Sequence, residues 1–163
     1  MKRRKTLFGM ALLMMLGSIW ACNHDNEKAL RPKETSGIRT SQAEYQRLMG
    51  ARTAAKGTAF EITGITRGET SLQIQVKGGC SADDYAVVWD GRIMESYPAQ
   101  INLVVANEKE PGGCSMPGEF TLTVDLKKLL GETYKPADFY VRVSNGSQVQ
   151  DKVADPNGAV SNQ

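Results

Sequence analysis

Histidine, cysteine and aromatic side chains are scarce in this chain of 163 residues, and each shortage removes a class of chemistry. His24 is the single histidine, so no histidine triad or histidine-based metal site can be assembled. The three cysteines, Cys22, Cys80 and Cys114, include no CxxC pair, which argues against a zinc site or a thioredoxin-like centre. No Asp-x-Asp-x-Asp spacing is present for calcium, and neither Gly78-Gly79 nor Gly112-Gly113 has the pattern of a phosphate loop. Charge of one sign is also missing. The 20 basic residues nearly match the 18 acidic ones, and no basic cluster follows the first five residues to attract nucleic acid.

One long apolar run exists, and it lies at the start. Lys2, Arg3, Arg4 and Lys5 precede 14 uncharged residues from Leu7 to Trp20, followed by Ala21 and Cys22. That run is short for a permanent span, which needs about 20 residues, and suits the apolar region of a signal peptide. Setting aside the four leading cations leaves 16 basic residues against 18 acidic ones, a net of −2 for the mature chain. Ile19-Trp20-Ala21-Cys22 resembles the lipobox of bacterial lipoproteins: an aliphatic residue, a variable one, a small one, then cysteine. The resemblance covers the first 22 residues and implies cleavage before Cys22 and a diacylglycerol thioether on it. Two or more acyl chains hold a protein stably on a membrane where one holds it marginally. Asn23, His24, Asp25, Asn26 and Glu27 are similar to export signals of some surface lipoproteins, so the expected address is the outer membrane, at its periplasmic face or the cell surface.

Lipid on Cys22 accounts for the odd cysteine and leaves Cys80 and Cys114 as a pair. In an oxidising envelope they are expected to form a disulfide. It would close a ring of 35 residues, a constraint of roughly 4 kcal/mol on the unfolded chain. Both cysteines follow Gly-Gly, which reads as a staple between loop ends.

Residues 22–57 read as a polar tether, with a short helix over 42–49. Ser41 to Glu44 fits a capping box, Tyr45, Leu48 and Met49 share one face, and Gly50 is the expected stop. From residue 58 the apolar period is two. Leu72, Ile74 and Val76 alternate with Gln73 and Gln75, and Phe120, Leu122 and Val124 with Thr121 and Thr123. Tyr85, Val87 and Trp89 share a face, as do Ile101, Leu103 and Val105, and Phe139, Val141 and Val143. Asp90-Gly91 and Asn145-Gly146 are hairpin signals. The first would place Trp89 opposite Arg92, within reach of a cation–π contact. Asp125 is placed to cap a short helix that Gly131 ends. The expected fold is all-β: an antiparallel β-sandwich of about seven or eight strands over 58–155, with one short helical crossover and a flexible tail at 156–163. The run from Cys80 through Trp89-Asp90-Gly91 to Glu95-Ser96-Tyr97-Pro98 resembles small envelope lipoproteins with such a domain, a likeness that carries no activity.

No cofactor, metal or catalytic residue is indicated. Asp83, Asp84, Asp90 and Glu95 are the carboxylates that a metal site or a hydrolase would have to use, but each also fits a solvated turn. Trp89, Tyr97, Phe120, Tyr134, Phe139 and Tyr140 would line an aromatic cleft in a carrier of small apolar or sugar ligands, or else fill the core. The leading expectation is a non-enzymatic structural or accessory binding module. It would sit on the membrane through the lipid of Cys22 and contact an envelope protein or extracellular polymer through the Asp90 turn or the loop from Asn107 to Gly118. The carrier and the carboxylate hydrolase follow in that order. Metabolic labelling with a fatty acid checks the anchor. Label is expected in the wild-type chain and absent from Cys22→Ala, and equal labelling of both would overturn it.

Overall fold

The computed structural model describes residues 33–34, 38–54, 56–109, 115–132 and 135–163. The signal segment, Cys22, His24, Cys114 and Tyr134 lie outside the described residues. The strands are β1 (Lys33–Glu34), β2 (Ile38–Thr40), β3 (Glu61–Arg67), β4 (Ser71–Lys77), β5 (Tyr85–Met94), β6 (Ala99–Asn107), β7 (Glu119–Asp125), β8 (Phe139–Asn145), β9 (Asp151–Ala154) and β10 (Val160–Asn162). Helix α1 (Gln42–Thr53) follows β2, and α2 (Leu126–Leu130) follows β7. The chain is mostly β. One sheet has the order β1-β7-β4-β3, and the other β10-β9-β8-β6-β5-β2.

The alternating strands fold as their pattern requires. Leu72, Ile74 and Val76 of β4 stand in register with Val124, Leu122 and Phe120 of β7. From the other sheet Val87, Ile101, Leu103, Val105, Val141 and Val143 meet them in one buried cluster. Burying a Val, Leu or Ile side chain contributes roughly 1.5–3 kcal/mol, so this shared cluster dominates the apolar stabilisation. Asp125 accepts a hydrogen bond from Lys128 N at 2.8 Å and starts α2, and Gly131 ends it at φ 74°.

Several readings of the sequence need correction. The sheets are not purely antiparallel: β6 pairs with β8 in parallel, as do β2 with β5 and β1 with β7. A parallel neighbour requires a long crossover. Here the chain leaves β6, crosses to the other sheet as β7, turns through α2 and returns as β8. Next, Asp90-Gly91 makes no hairpin. It forms a bulge inside β5, where Trp89 faces Leu103 and Ile93 faces Ile101 on β6. Its turn chemistry is still used: Asp90 accepts from Arg92 N at 3.0 Å, and Gly91 has φ 78°. The Trp89 indole N–H donates to the Arg92 carbonyl at 3.2 Å in place of a cation–π contact. The strands turn instead at Glu95 to Pro98, where the Tyr97–Pro98 peptide is cis.

The third correction concerns the tether. Residues 38–53 form β2 and α1, and α1 runs past Gly50 to Thr53. Ser41 caps it by accepting from Glu44 N at 3.3 Å. A mid-helix glycine costs about 1 kcal/mol relative to alanine, less than the contacts that the extra turn makes. Leu48 packs on Val88, Val104 and Ala106, the outer face of the six-stranded sheet. Arg52, 5% exposed, reaches Asp151 of β9 at 2.7 Å. That covering explains why β5 and β6 carry buried residues on both faces. Last, the tail is ordered: Asp155 to Gly158 turn the chain, Ala159 N donates to the Asp155 side chain at 2.8 Å, and β10 pairs with β9. Asn145-Gly146 likewise opens a wider loop than expected, since β9 begins only at Asp151.

That loop joins the two sheets. The buried Asn145 amide donates to the Phe60 carbonyl at 2.8 Å, and its oxygen accepts from Ser147 N and Oγ, each at 2.8 Å. Gln150 accepts from Ile62 N at 2.9 Å and donates to Ile62 O at 3.2 Å, as a neighbouring strand would. Replacing Asn145 by leucine keeps the volume and strands these partners in an apolar setting. Asn145→Leu is expected to lower stability by about 3 kcal/mol or more. The urea midpoint reads it, and a loss under about 1 kcal/mol would show that the amide does not hold the sheets.

Candidate functional site

The carboxylates marked in the sequence are held by structural hydrogen bonds. Asp84 Oδ2 accepts from the backbone N–H of Cys80 and of Ser81, both at 2.9 Å, which closes a capping box. Lys109 Nζ lies 3.8 Å from its other oxygen. Asp90 is engaged by Arg92 in the β5 bulge, and Glu95 is exposed in the turn after it. Asp84 and Asp90 therefore sit at opposite ends of the first half of β5 and do not face each other as an acid pair. Among the described residues no group of three or more metal-ligating side chains converges.

Among the described residues the aromatic side chains line no common cleft. Phe60 and Tyr85 stack edge to face at 5.3 Å, and Phe120 lies tilted 6.4 Å from Tyr85. Phe139 is 2% exposed and Trp89 packs against the same core, whereas Tyr97 is fully exposed in its turn. Burial raises the Tyr85 hydroxyl pKa above its ordinary value, with the Gly79 backbone N–H working against it. Cys80 is half-buried and disulfide-bonded, while its expected partner Cys114 lies outside the described residues.

A cleft of about 320 Å³ opens at the start of the Asn107 loop marked in the sequence, with other walls that the sequence did not mark. It lies beyond the carboxyl ends of β6 and β8, the parallel pair aligned at Val105 and Asn145. The two chains part there: β6 runs on toward the other sheet, and β8 turns back into β9. Diverging connections beyond parallel strand ends leave a crevice, as in open α/β sheets. Three segments wall it. Arg47, Leu48 and Ala51 come from α1, Lys56 to Thr58 from the chain that follows, and Gly146 and Ser147 from the β8–β9 loop. Ala106, Asn107 and Glu108 complete it. Leu48, Ala51 and Ala106 make an apolar part as large as the polar part, which is amide, hydroxyl and charge.

Each wall is fixed by a contact already described or close to it. The Thr58 hydroxyl donates to the Lys109 carbonyl, and Asn107 Oδ1 accepts from Lys109 N at 3.0 Å. Glu108 is bound to Arg39 at 2.5 Å, and Arg39 also reaches Glu44 at 3.1 Å. The Glu108 hydrogen bond is the main reason the Arg39 pKa rises, and burial opposes it. Tyr45, packed against the cluster of Leu48, is half-buried. Burial raises its pKa first, Asp90 and Asp151 add to that, and Arg142 and Arg52 oppose.

Of the places singled out in the sequence, the loop beginning at Asn107 contributes to the cleft and the Asp90 turn does not. Arg47, Lys56, Thr58 and Ser147 were not legible as site residues. Asn145-Gly146-Ser147 carried the one usable signal, and its Asn-Gly pair reads more readily as a turn. Gly146 is required by contact: a Cβ there would stand 2.8 Å from the Val105 carbonyl oxygen, which accepts from Gly146 N at the same distance. Gly146→Ala is expected to cost about 1–3 kcal/mol by overpacking against the backbone. Gly50→Ala, with nothing within 4 Å of the added methyl, is expected to add about 0.5–1 kcal/mol through helix propensity. Chemical denaturation of the two variants should show opposite signs, and a shared sign would contradict the packing at Gly146.

Comparison of the chain with family models, with curated proteins and with solved structures found no match.

Proposed function

We propose that this chain is a lipid-anchored protein of the bacterial cell envelope, mature from Cys22 and carried on the outer membrane by lipid at that residue. In this reading its two sheets form a β-sandwich, stapled by a Cys80–Cys114 disulfide, that serves as a non-enzymatic accessory binding module. The partner is an envelope protein or extracellular polymer, reached at the periplasmic face or the cell surface. The cleft between α1 and the β8–β9 loop carries the proposal, because it is a recess of mixed polar and apolar lining, with loop residues on its walls. The engagement of Asp84 and Asp90 in turns favours binding over hydrolysis. The aromatic version of a carrier is not favoured, since Trp89 packs on the core and Tyr97 projects into solvent.

No helix among the described residues is long and apolar enough to cross a membrane, and the proposed lipid makes one unnecessary. Ala51 faces the cleft from α1. Ala51→Trp is expected to fill the recess and weaken co-sedimentation with isolated envelope polymer at least about tenfold, or about 1.4 kcal/mol. Its unfolding midpoint should stay near that of the wild type. Undiminished binding by a folded Ala51→Trp variant would remove the cleft from this role.

A further inference from the structure

We infer that the cleft recognises a small acidic sugar, whose carboxylate is taken by Arg47 and Lys56. This deepens the binding reading above and rests on it. The first argument is charge at the cleft itself, since Arg92, Lys127, Lys128, Lys135, Arg142 and Lys152, away from it, also have no carboxylate within ion-pair distance among the described residues. Arg52 is paired with Asp151, Lys77 with Glu119, Lys109 with Asp84, and Arg39 with Glu44 and Glu108. Arg47 and Lys56 line the cleft, and among the described residues neither has a carboxylate within ion-pair distance. Glu108, the acid on the same wall, is bound to Arg39 at 2.5 Å, and Arg39 is shared with Glu44. Arg39, Arg47 and Lys56 together outnumber Glu44 and Glu108 by one, so the excess charge at the cleft is positive, and a guanidinium matches a carboxylate with two parallel hydrogen bonds.

The second argument is size and lining. A volume of about 320 Å³ stands at the small end of ligand pockets, about 300–1,000 Å³. It suits a small molecule or the end of a chain better than a long polymer segment, and it is roomy for a lone inorganic anion. The remaining walls pair with hydroxyl groups. The Thr58 hydroxyl proton is committed to the Lys109 carbonyl, so its oxygen is left to accept. The Asn107 carbonyl oxygen holds Lys109 N, so its NH₂ is left to donate. A cation pair flanked by one such acceptor and one such donor fits a sugar that bears both carboxylate and hydroxyls.

The test is amide chemical-shift mapping on the purified full-length protein in detergent micelles, with glucuronate, glucose and inorganic phosphate as separate probes. Glucuronate is expected to shift the amides of Ala51, Gly57 and Ser147, and to bind more weakly as salt is raised. Arg47→Gln and Lys56→Gln should each weaken it about tenfold while the melting temperature holds, since both side chains are exposed. Glucose should bind far more weakly than glucuronate. Equal binding of glucose, or indifference to both substitutions, overturns the acidic-sugar assignment and leaves the cleft as a binding site. Phosphate binding as tight as glucuronate overturns it too. If no probe shifts any cleft amide, the acidic sugar falls. If Ala51→Trp also leaves polymer binding intact, the cleft reading falls with it.

Discussion

Side-chain amides from a single loop, rather than strand pairing, close one margin between the two sheets. β3 is the edge of the four-stranded sheet, and its backbone between Phe60 and Ile62 finds partners in Asn145, Gln148 and Gln150. An unpaired edge is a liability for any sheet, and a buried amide without partners costs more than a satisfied one returns. The loop resolves both at once. Asn145 is fully buried because each of its polar atoms is used, and it orders Ser147 in the process. At the other end of β3, Arg67 donates to the carbonyls of Phe139 and Asp155. Burial holds its pKa below the ordinary arginine value while the Asp155 charge works the other way. The same strand is thus pinned at both ends by polar side chains reaching across from the six-stranded sheet or to it.

The cleft is a by-product of this closure. Gly146 and Ser147 must lie against the end of β6 for Asn145 to reach Phe60, and that places them on the cleft wall opposite α1. The wall is therefore held by a buried network of side-chain amide hydrogen bonds. The opposite wall rests on less. α1 is short, and a helix of that length is marginal alone in water. It keeps its place through Leu48 on Val88, Val104 and Ala106, through the Ser41 backbone N–H bonded to the Trp89 carbonyl at 2.9 Å, and through Arg52. One rigid wall and one docked wall is a common plan for a site that must admit something.

The sequence was informative where one residue type answers one local demand. Period-two alternation located β4 and β7, and Asp125 and Gly131 located both ends of α2. It was silent where long-range pairing decides. Parallel β6 and β8 could not be read because the crossover runs through a strand of the other sheet and only the short helix α2. Asp90-Gly91 misled for a related reason. Its local preference is satisfied equally by a bulge, and Ile93 gains a cross-strand neighbour in Ile101 only if β5 continues. Arg52 looked like one more tether cation until Asp151, far along the chain, supplied its partner. The cleft was only partly legible for the same reason, since its walls come from four separate stretches, of which the Asn107 loop was marked and the α1 face was not.

Helical spacing links the buried pair to the cleft. Leu48 and Arg52 stand four residues apart and make one stripe of α1, and Arg47 and Ala51 make the adjacent stripe. Whatever fixes the rotation of the first stripe fixes the second. Apolar contact alone is a weak rotational constraint, because Leu48 is the only fully seated apolar side chain of the helix and Tyr45 and Met49 are partly exposed. The Arg52–Asp151 pair is directional. Turning the helix by one residue, about 100° at 3.6 residues per turn, would leave a buried guanidinium and carboxylate apart, at a cost of about 3–5 kcal/mol. A buried ion pair of this kind adds little to net stability against a well-packed apolar substitute. Its effect here is orientation: it keeps Leu48 over the sheet, and so keeps Arg47 and Ala51 turned toward Gly146 and Ser147.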